Sequence, residues 1–324
     1  MVGAETANKG LELIRTFLDE VDERTGIKSI PYRVVAYECD DINGFSIKQG
    51  GEYIIGISIK TVDDLYRWFR TWFSCEETYN ALDLNKDRKE IYIQKAYEYA
   101  LCFLAAHENY HIKNGHCDLP EMEERFIFEQ SQEIEKENAI FRQVLEYDAD
   151  SCATACCINQ ILYKYEKYDE IKVAVQLQMF AIYSIFKIFS QYEQFDFDAF
   201  IEEDLTKYDH ANAGIRFIVS QCVMSTLFLD KRKEIVDLCE VTVSDTMRFE
   251  HEVLKIDNAK ETLFGIAYTE KGDNHIVRLH NSWETVRKKL LPYTHCELAE
   301  FEPIHGGNVF VDKKGKWCNV ERKC

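Results

Sequence analysis

The sequence has little of what makes a chain disordered or suits it to bind nucleic acid. It has four prolines and fourteen glycines in 324 residues and no low-complexity run, which argues against long disordered linkers. Its formal net charge of −18 argues against the basic surface that a phosphate backbone requires, so we expect no nucleic-acid partner. An acidic surface of this kind is typical of a solvated, soluble protein.

The sequence also lacks a long uninterrupted apolar run. Its two most apolar stretches, 171–190 and 213–229, are broken by glutamine, lysine, arginine and serine, so neither reaches the ~18 apolar residues of a membrane span. We therefore predict buried core helices and no membrane insertion. The first twenty residues show no secretion or lipidation pattern, which predicts a cytoplasmic protein.

Twelve cysteines are present, but no two of them form a CxxC pair. Cys152, Cys156 and Cys157 crowd a single stretch with helical periodicity, where they cannot all serve a disulfide framework. In a chain without a signal peptide, such residues are typical of reduced thiols that pack as small hydrophobic side chains. We predict no disulfide framework.

Secondary-structure patterns divide the chain into three parts. Short β-branched and aromatic segments between residues 31 and 59 predict a small N-terminal sheet with tight turns at Asn43-Gly44 and Gly50-Gly51. Helical periodicity then dominates, over 88–113, 121–165, 169–192, 196–207, 211–229 and 231–256. Strand-like segments return in "TLFGIAY", "HIVRL" and "NVFVDKKGKW". We predict a predominantly helical α+β fold, with one domain over 1–257 and a β-containing C-terminal extension over 258–324.

The stretch "FLAAHENYHIKNGH" (103–116) carries the HExxH pattern of zinc hydrolases. His107 and His111 are four residues apart on a predicted helix, so both imidazoles can face one zinc ion. Glu108 would flank that ion, where a carboxylate can accept a proton from a zinc-activated water. The pattern also occurs by chance, in roughly a few per cent of such chains, on ordinary solvated helices. A third ligand is therefore needed to support the zinc interpretation.

One source of a third ligand fails and another fits. In the HExxHxxGxxH pattern of metzincins, the glycine and the last histidine would fall on Asn114 and Cys117, which excludes that pattern. Glu146, on a later predicted helix with several alanines, can complete a His-His-Glu set, because small residues let two helices approach closely. Asp150, one turn on, is placed to accept a hydrogen bond from the second nitrogen of His107. Competing acidic residues are Glu133, Glu135 and Glu137.

Together these motifs resemble the gluzincins, zinc peptidases in which HExxH is followed by an ExxAD or ExxxD helix, here "EYDAD". In the branch related to membrane-bound prenyl-processing and heat-shock peptidases, a later histidine is followed six residues on by an arginine. "KYDHANAGIRF" supplies His210 and Arg216 at that spacing, although Ala211 stands where that branch usually has proline. The arrangement is also similar to the soluble Lit-like phage-exclusion peptidases of bacteria. The resemblance spans about residues 50 to 220.

The resemblance implies a zincin-like catalytic domain within 1–257 and a cytosolic zinc endopeptidase that cleaves a protein or peptide substrate, as a bacterial phage-defence or regulatory protease. It implies that Glu108 is the general base and that His210 stabilises the carbonyl oxygen. Arg216 would orient the helix of His210 or bind a substrate carbonyl. The zinc ligands would be His107, His111 and Glu146.

Two other interpretations stay open at this stage. In one, the zinc is structural or the catalysis has lapsed, and His116 or Cys117 closes the fourth zinc position of a regulatory or binding protein. In the other, the chain is a helical interaction protein without metal. For the peptidase, the segment 52–59 is a candidate edge strand on which an extended substrate could pair.

Overall fold

The computed structural model describes residues 3–25, 30–40, 42–120, 127–128, 136–192, 196–307 and 310–316. The elements in these ranges are α1 (Gly3–Thr25), β1 (Tyr32–Tyr37), β2 (Gly44–Gln49), β3 (Glu52–Ser58), α2 (Ile59–Trp72), α3 (Glu76–Ala81), α4 (Lys89–Lys113), β4 (Ile127–Phe128), α5 (Lys136–Lys164), α6 (Tyr168–Tyr192), α7 (Phe197–Glu202), α8 (Ala213–Lys231), α9 (Leu238–Glu252) and α10 (Glu270–Leu290). Most of the described chain is helical, which confirms the predominantly helical α+β prediction.

The four strands form one mixed sheet in the order β1-β3-β2-β4. β1 runs parallel to β3, whereas β2 is antiparallel to β3 and β4. The turn between β2 and β3 uses Gly50 and Gly51, whose φ angles of 59° and 83° lie in the left-handed region that glycine adopts most easily. The predicted N-terminal sheet and its turn at Gly50-Gly51 are therefore confirmed. The tight turn predicted at Asn43-Gly44 is wrong, because Gly44 begins β2 and β1 pairs with β3 instead of β2.

β3 lies in the interior of the sheet, between β1 and β2. Its backbone pairs with a strand on either side, so it has no free row of N–H and C=O groups. The prediction that the segment 52–59 is an edge strand for an extended substrate is therefore wrong.

α4 is the central helix of the fold. It packs against α1, α2, α5 and α6, and every residue from Phe103 to Asn109 is buried. A helix that is enclosed on all sides cannot present its polar residues to water. The buried polar groups of the HExxH segment, His107, Glu108 and His111, therefore need partners within the protein.

Two helices are long and apolar enough to cross a membrane by length and composition alone, at Tyr168–Gln191 and Ala213–Lys231. In this fold 89% of the apolar window of the first and 61% of that of the second are buried. The ring of Phe180, on the first, packs 5.7 Å from that of Trp72 and 4.8 Å from that of Phe249. These apolar side chains thus take part in core packing.

The predicted helix over 121–165 is wrong at its beginning. Ile127–Phe128 forms strand β4, whose backbone pairs with Phe45 and Ser46 of β2. Pairing with a neighbouring strand thus overrides the local helical pattern there. The helix begins at Lys136, and the rest of 121–135 lies outside the described residues, as do the competing candidates Glu133 and Glu135.

Two of the three strand predictions after residue 258 are also wrong. "HIVRL" (275–279) lies inside α10, which buries Leu279, Trp283, Val286 and Leu290 along one face. The window "TLFGIAY" (262–268) folds as a series of turns. In the described part of the third segment, Gly315 closes a turn onto Asp312, and Val311 makes an isolated bridge to Thr269. The five-residue apolar pattern of "HIVRL" was too short to reveal the helical period.

The hydrophobic core continues across residue 257. Leu263, Trp283 and Leu290 belong to the same cluster of buried side chains as Leu104 of α4. The C-terminal extension is therefore packed onto the helices that carry the HExxH segment.

Candidate metal centre

α4 and α5 pack side by side and bring three candidate ligands together in the buried interior. The Nε2 atoms of His107 and His111 are 3.0 Å apart. The carboxylate of Glu146 lies 3.3 Å from the first of these atoms and 3.4 Å from the second. Among the described residues, these three side chains are the one group of His, Cys, Asp and Glu that could hold a metal ion.

The spacing of the three donor atoms suits a small tetrahedral cation. Zinc binds imidazole nitrogen and carboxylate oxygen at about 2.0–2.2 Å, so tetrahedral angles put its ligand atoms about 3.3–3.5 Å apart. The observed separations of 3.0, 3.3 and 3.4 Å lie close to that range. Two imidazoles and one carboxylate are also a donor set found in catalytic zinc sites.

The second nitrogen of His107 faces a buried ion pair. Its Nδ1 lies 2.9 Å from Oδ1 of Asp150, the residue predicted for this contact. Arg216 donates to both carboxylate oxygens of Asp150, through Nε at 2.7 Å and Nη2 at 2.9 Å. Burial would raise the pKa of Asp150, but the neighbouring charge of Arg216 outweighs it and lowers that pKa. Asp150 is therefore an ionised acceptor for the N–H of His107.

The second nitrogen of His111 faces another imidazole, a contact that the sequence did not reveal. Nδ1 of His111 is 2.8 Å from Nδ1 of His116, and Nε2 of His116 is 3.1 Å from Oδ2 of Asp148. Asn114 donates to the same carboxylate oxygen. The left-handed backbone of Gly115 (φ 81°) turns the chain at the end of α4, so that His116 folds back beside His111.

These contacts determine which ring nitrogens carry protons. A carboxylate only accepts hydrogen bonds, so His107 presents Nδ1–H to Asp150 and His116 presents Nε2–H to Asp148. Nδ1 of His116 faces Nδ1 of His111. The Nε2 atoms of the two HExxH histidines therefore point towards each other and towards Glu146.

Three ligand atoms that converge in so small a buried space are the arrangement that a metal ion requires. Burial lowers the pKa of His111 well below 6.5, which favours the neutral imidazole that binds a metal ion. The residues therefore fit a bound metal ion, and they fit a borderline-soft ion such as zinc with its preference for imidazole.

His210 contacts the same carboxylate oxygen of Glu146 as His107 does. Its Nε2 is 3.2 Å from Oε2 of Glu146, and its Nδ1 is 3.0 Å from Oδ1 of Asp209. Burial opposes protonation of His210, but Glu146 and Asp209 outweigh it and raise its pKa to about 10. Conversely, burial would raise the pKa of Glu146, but the charge of His210 and the hydrogen bonds from His107 and His210 lower it well below 4.5.

Arg216 of α8 contacts two carboxylates of α5. Its guanidinium donates two hydrogen bonds to Asp150, and its Nη2 lies 3.5 Å from Oε2 of Glu146. It also lies 5.0 Å from the centroid of the Phe186 ring. These contacts tie Arg216 to the two carboxylates of α5, so its contacts support the metal ligands.

Glu108 and Cys117 lie close to the site without belonging to the ligand group. Glu108 is buried, at 1% exposure, next to His107 on α4. Burial, with the nearby charge of Glu108, raises the pKa of the Cys117 thiol, so that residue is not a ready thiolate ligand. His116 has its Nδ1 on His111 and its Nε2 on Asp148, which leaves no nitrogen to close the fourth position.

The C-terminal extension completes the surroundings of the site. The backbone N–H of His295 donates to the carbonyl of Lys113, at the end of α4, at 2.8 Å. A Cβ on Gly115 would lie 2.6 Å from the backbone of Tyr293. Along α5, the hydroxyl of Tyr147 is 2.8 Å from Nδ1 of His280 in α10. Contacts with the C-terminal extension therefore help to hold both ligand-bearing helices in place.

No protein-family model matches the chain, and no curated protein or solved structure is significantly similar to it.

Proposed function

We propose that the chain is a zinc-dependent endopeptidase that hydrolyses peptide bonds in a protein substrate. The observation that carries this proposal is the convergence of His107, His111 and Glu146 in one buried group, beside the buried carboxylate of Glu108. When bound, zinc supplies Lewis acidity to a water molecule and to the carbonyl oxygen of the substrate.

Glu108 is the residue that moves a proton in this proposal. Its carboxylate takes a proton from the attacking water and returns it to the nitrogen of the cleaved bond. The neighbouring position on α4 puts it beside the metal ligand His107 rather than among the ligands. Since general acid–base catalysis contributes typically about 10²–10⁴-fold, loss of this carboxylate should remove most of the activity.

His210 stabilises the charge that develops on the carbonyl oxygen. Its Nε2 lies in the buried site, 3.2 Å from Oε2 of Glu146, and an N–H donor there would hydrogen-bond to the carbonyl oxygen of the substrate. Asp209 holds the other ring nitrogen, which orients the donor. Loss of one such donor costs about 10²–10³ in kcat in other enzymes.

One observation favours a second candidate, a zinc-binding regulatory protein without catalysis. Glu108, Glu146 and His210 are 1%, 2% and 5% exposed, so the site is enclosed in this conformation. A substrate reaches the site only if the surrounding segments move. A hydroxamate inhibitor that chelates zinc distinguishes the candidates, because it binds only where a zinc position is accessible.

The proposal is tested with Glu108→Gln and the matched control Glu90→Gln, which changes an exposed residue on the same helix. We expect all three proteins to hold one zinc per chain, and new protein N-termini to appear in cells that express the wild type or the control. Cells that express Glu108→Gln should lack them. Equal cleavage by Glu108→Gln would contradict the role of Glu108, and no cleavage by any protein, with one zinc bound, would favour the regulatory candidate.

A further inference from the structure

A buried amide on α5 connects the ligand-bearing helix with the loop that carries His210. Gln143 lies one helical turn before Glu146 and is 1% exposed. Its Nε2 donates to the carbonyl oxygens of Leu205 and Tyr208, each at 2.7 Å. These carbonyls lie at the two ends of the turn that precedes His210, so one side chain holds that turn at both ends.

His275 of α10 determines which way this amide faces. Its Nε2 lies 2.7 Å from Oε1 of Gln143, and the ring is 6% exposed. An amide oxygen accepts hydrogen bonds and does not donate them, so His275 is the donor. The amide nitrogen of Gln143 must then face the two loop carbonyls, because the flipped orientation would set oxygen against oxygen.

We propose that Gln143 is a positioning residue for His210 and that His275 keeps Gln143 in its working orientation. This inference rests on the proposed function, in which His210 donates to the carbonyl oxygen of the substrate. Because Gln143 and Glu146 are on one rigid helix, α5 fixes the place of His210 relative to the metal ligands. A displacement of about 1 Å in a reacting group is enough to lower a rate about 100-fold.

Gln143→Glu is the most informative variant. It keeps the size of the side chain and an acceptor for His275, but it replaces the donor to the two loop carbonyls with a carboxylate oxygen. His275→Leu removes the donor that orients the amide, whereas His275→Gln keeps one. The matched control is Gln191→Glu, which makes the same change at an exposed position at the end of α6.

We call the two hydrogen bonds from Gln143 to the carbonyls of Leu205 and Tyr208 the clamp. Hydrogen exchange of the backbone amides of residues 203–212 tests the clamp without any assay of activity. We expect exchange at least about 10-fold faster in Gln143→Glu and His275→Leu, because opening of this loop then no longer breaks two buried hydrogen bonds. Gln191→Glu and His275→Gln should exchange like the wild type. Unchanged exchange in both Gln143→Glu and His275→Leu would overturn the clamp. Hydrogen exchange over α6 serves as a control for global unfolding. If Gln143→Glu unfolds as a whole, the exchange of residues 203–212 in His275→Leu is the test of the clamp.

Kinetics on a cleaved substrate test the link to His210. We expect Gln143→Glu to lower kcat about 10- to 100-fold, with little change in KM and one zinc still bound per chain. In the His210→Ala background the same change should have no further effect, because the residue it positions is gone. Additive losses would overturn the positioning role. Lack of cleavage by the wild type would contradict the proposed function instead, while hydrogen exchange still decides the clamp.

Discussion

The Nδ1 atoms of His111 and His116 lie 2.8 Å apart, which links one HExxH imidazole through a second imidazole to the carboxylate of Asp148. His107 reaches the carboxylate of Asp150 directly. The three acidic residues of "EYDAD" therefore have different contacts. Glu146 is the candidate ligand, and the two aspartates each orient one histidine.

Asp148→Asn is expected to weaken zinc binding by about 10- to 100-fold, as loss of a carboxylate behind a ligating histidine commonly does. An asparagine oxygen can still accept from His116 and Asn114, but it lacks the negative charge that strengthens both hydrogen bonds and fixes the imidazole tautomers. Competition with a fluorescent chelator measures the zinc dissociation constant. Asp83→Asn, at an exposed ion pair with Lys172, is the control and should bind zinc like the wild type. Equal affinities of the two variants would contradict the proposed link.

Arg216→Lys is expected to lower the free energy of unfolding by about 1.5–3 kcal/mol. A lysine keeps the charge but cannot make the two parallel hydrogen bonds that the guanidinium gives to the buried Asp150. Urea denaturation measures the change. Arg232→Lys, which alters a pair with the exposed Glu234, should change it by less than about 1 kcal/mol. A similar loss in both variants would show that the geometry at Asp150 is unimportant.

Gly115→Ala is expected to destabilise the fold by more than Gly51→Ala does. Both glycines have nearly the same left-handed backbone, with φ of 81° and 83°, so alanine costs about 1–2 kcal/mol at either position. At Gly115 the new Cβ also meets the backbone of Tyr293 at 2.6 Å, whereas at Gly51 nothing lies within 4 Å. The difference between the two losses, measured by thermal unfolding, isolates the contact with the C-terminal extension. Equal losses would mean that this contact relaxes without cost.

His275 is expected to make the metal-free protein less stable as the pH falls from 6.5 to 4. Burial, with the charges of Arg278 and Lys271, lowers its pKa from 6.5 to about 4. Between these values the unfolded chain binds more protons than the folded chain, so the free energy of unfolding falls as the pH falls. At pH 4.5 the loss due to this residue is about 2.5 kcal/mol.

The measurement compares urea denaturation of the wild type and of His275→Gln at pH 7 and pH 4.5, both in the presence of a chelator. Glutamine keeps the donor to Gln143 but does not titrate, so the variant should lose less stability over this interval. An equal loss in the two proteins would show that His275 titrates normally in the fold.

The candidate ligand set could be predicted from the sequence because it depends on the local periodicity of helices. A spacing of four residues puts His107 and His111 on one face of any helix, and the same rule places Asp150 one turn after Glu146. Small residues supported close packing of the second helix, and Ala149 and Ala153 are indeed fully buried. The pairing of this helix with the HExxH helix could be predicted because Glu146 is the acidic candidate that has several alanines around it.

The surroundings of the ligands were out of reach because they depend on turns and on distant chain segments. His116 meets His111 only because Gly115 reverses the backbone, which the spacing of the two histidines does not indicate. Gln143 and His275 are 132 positions apart, and neither lies in a recognisable motif. The interior position of β3 depends on its pairing with β1, which no pattern within 52–59 encodes.

The packing of Tyr293 and His295 on the end of α4 has a consequence for the order of events during synthesis. His107, His111 and Glu146 leave the ribosome long before the segment that caps their helix has been translated. Domains generally fold as units once their chain has emerged. The three candidate ligands therefore acquire their full framework only after the segment that contains Tyr293 and His295 has been translated and has packed on α4.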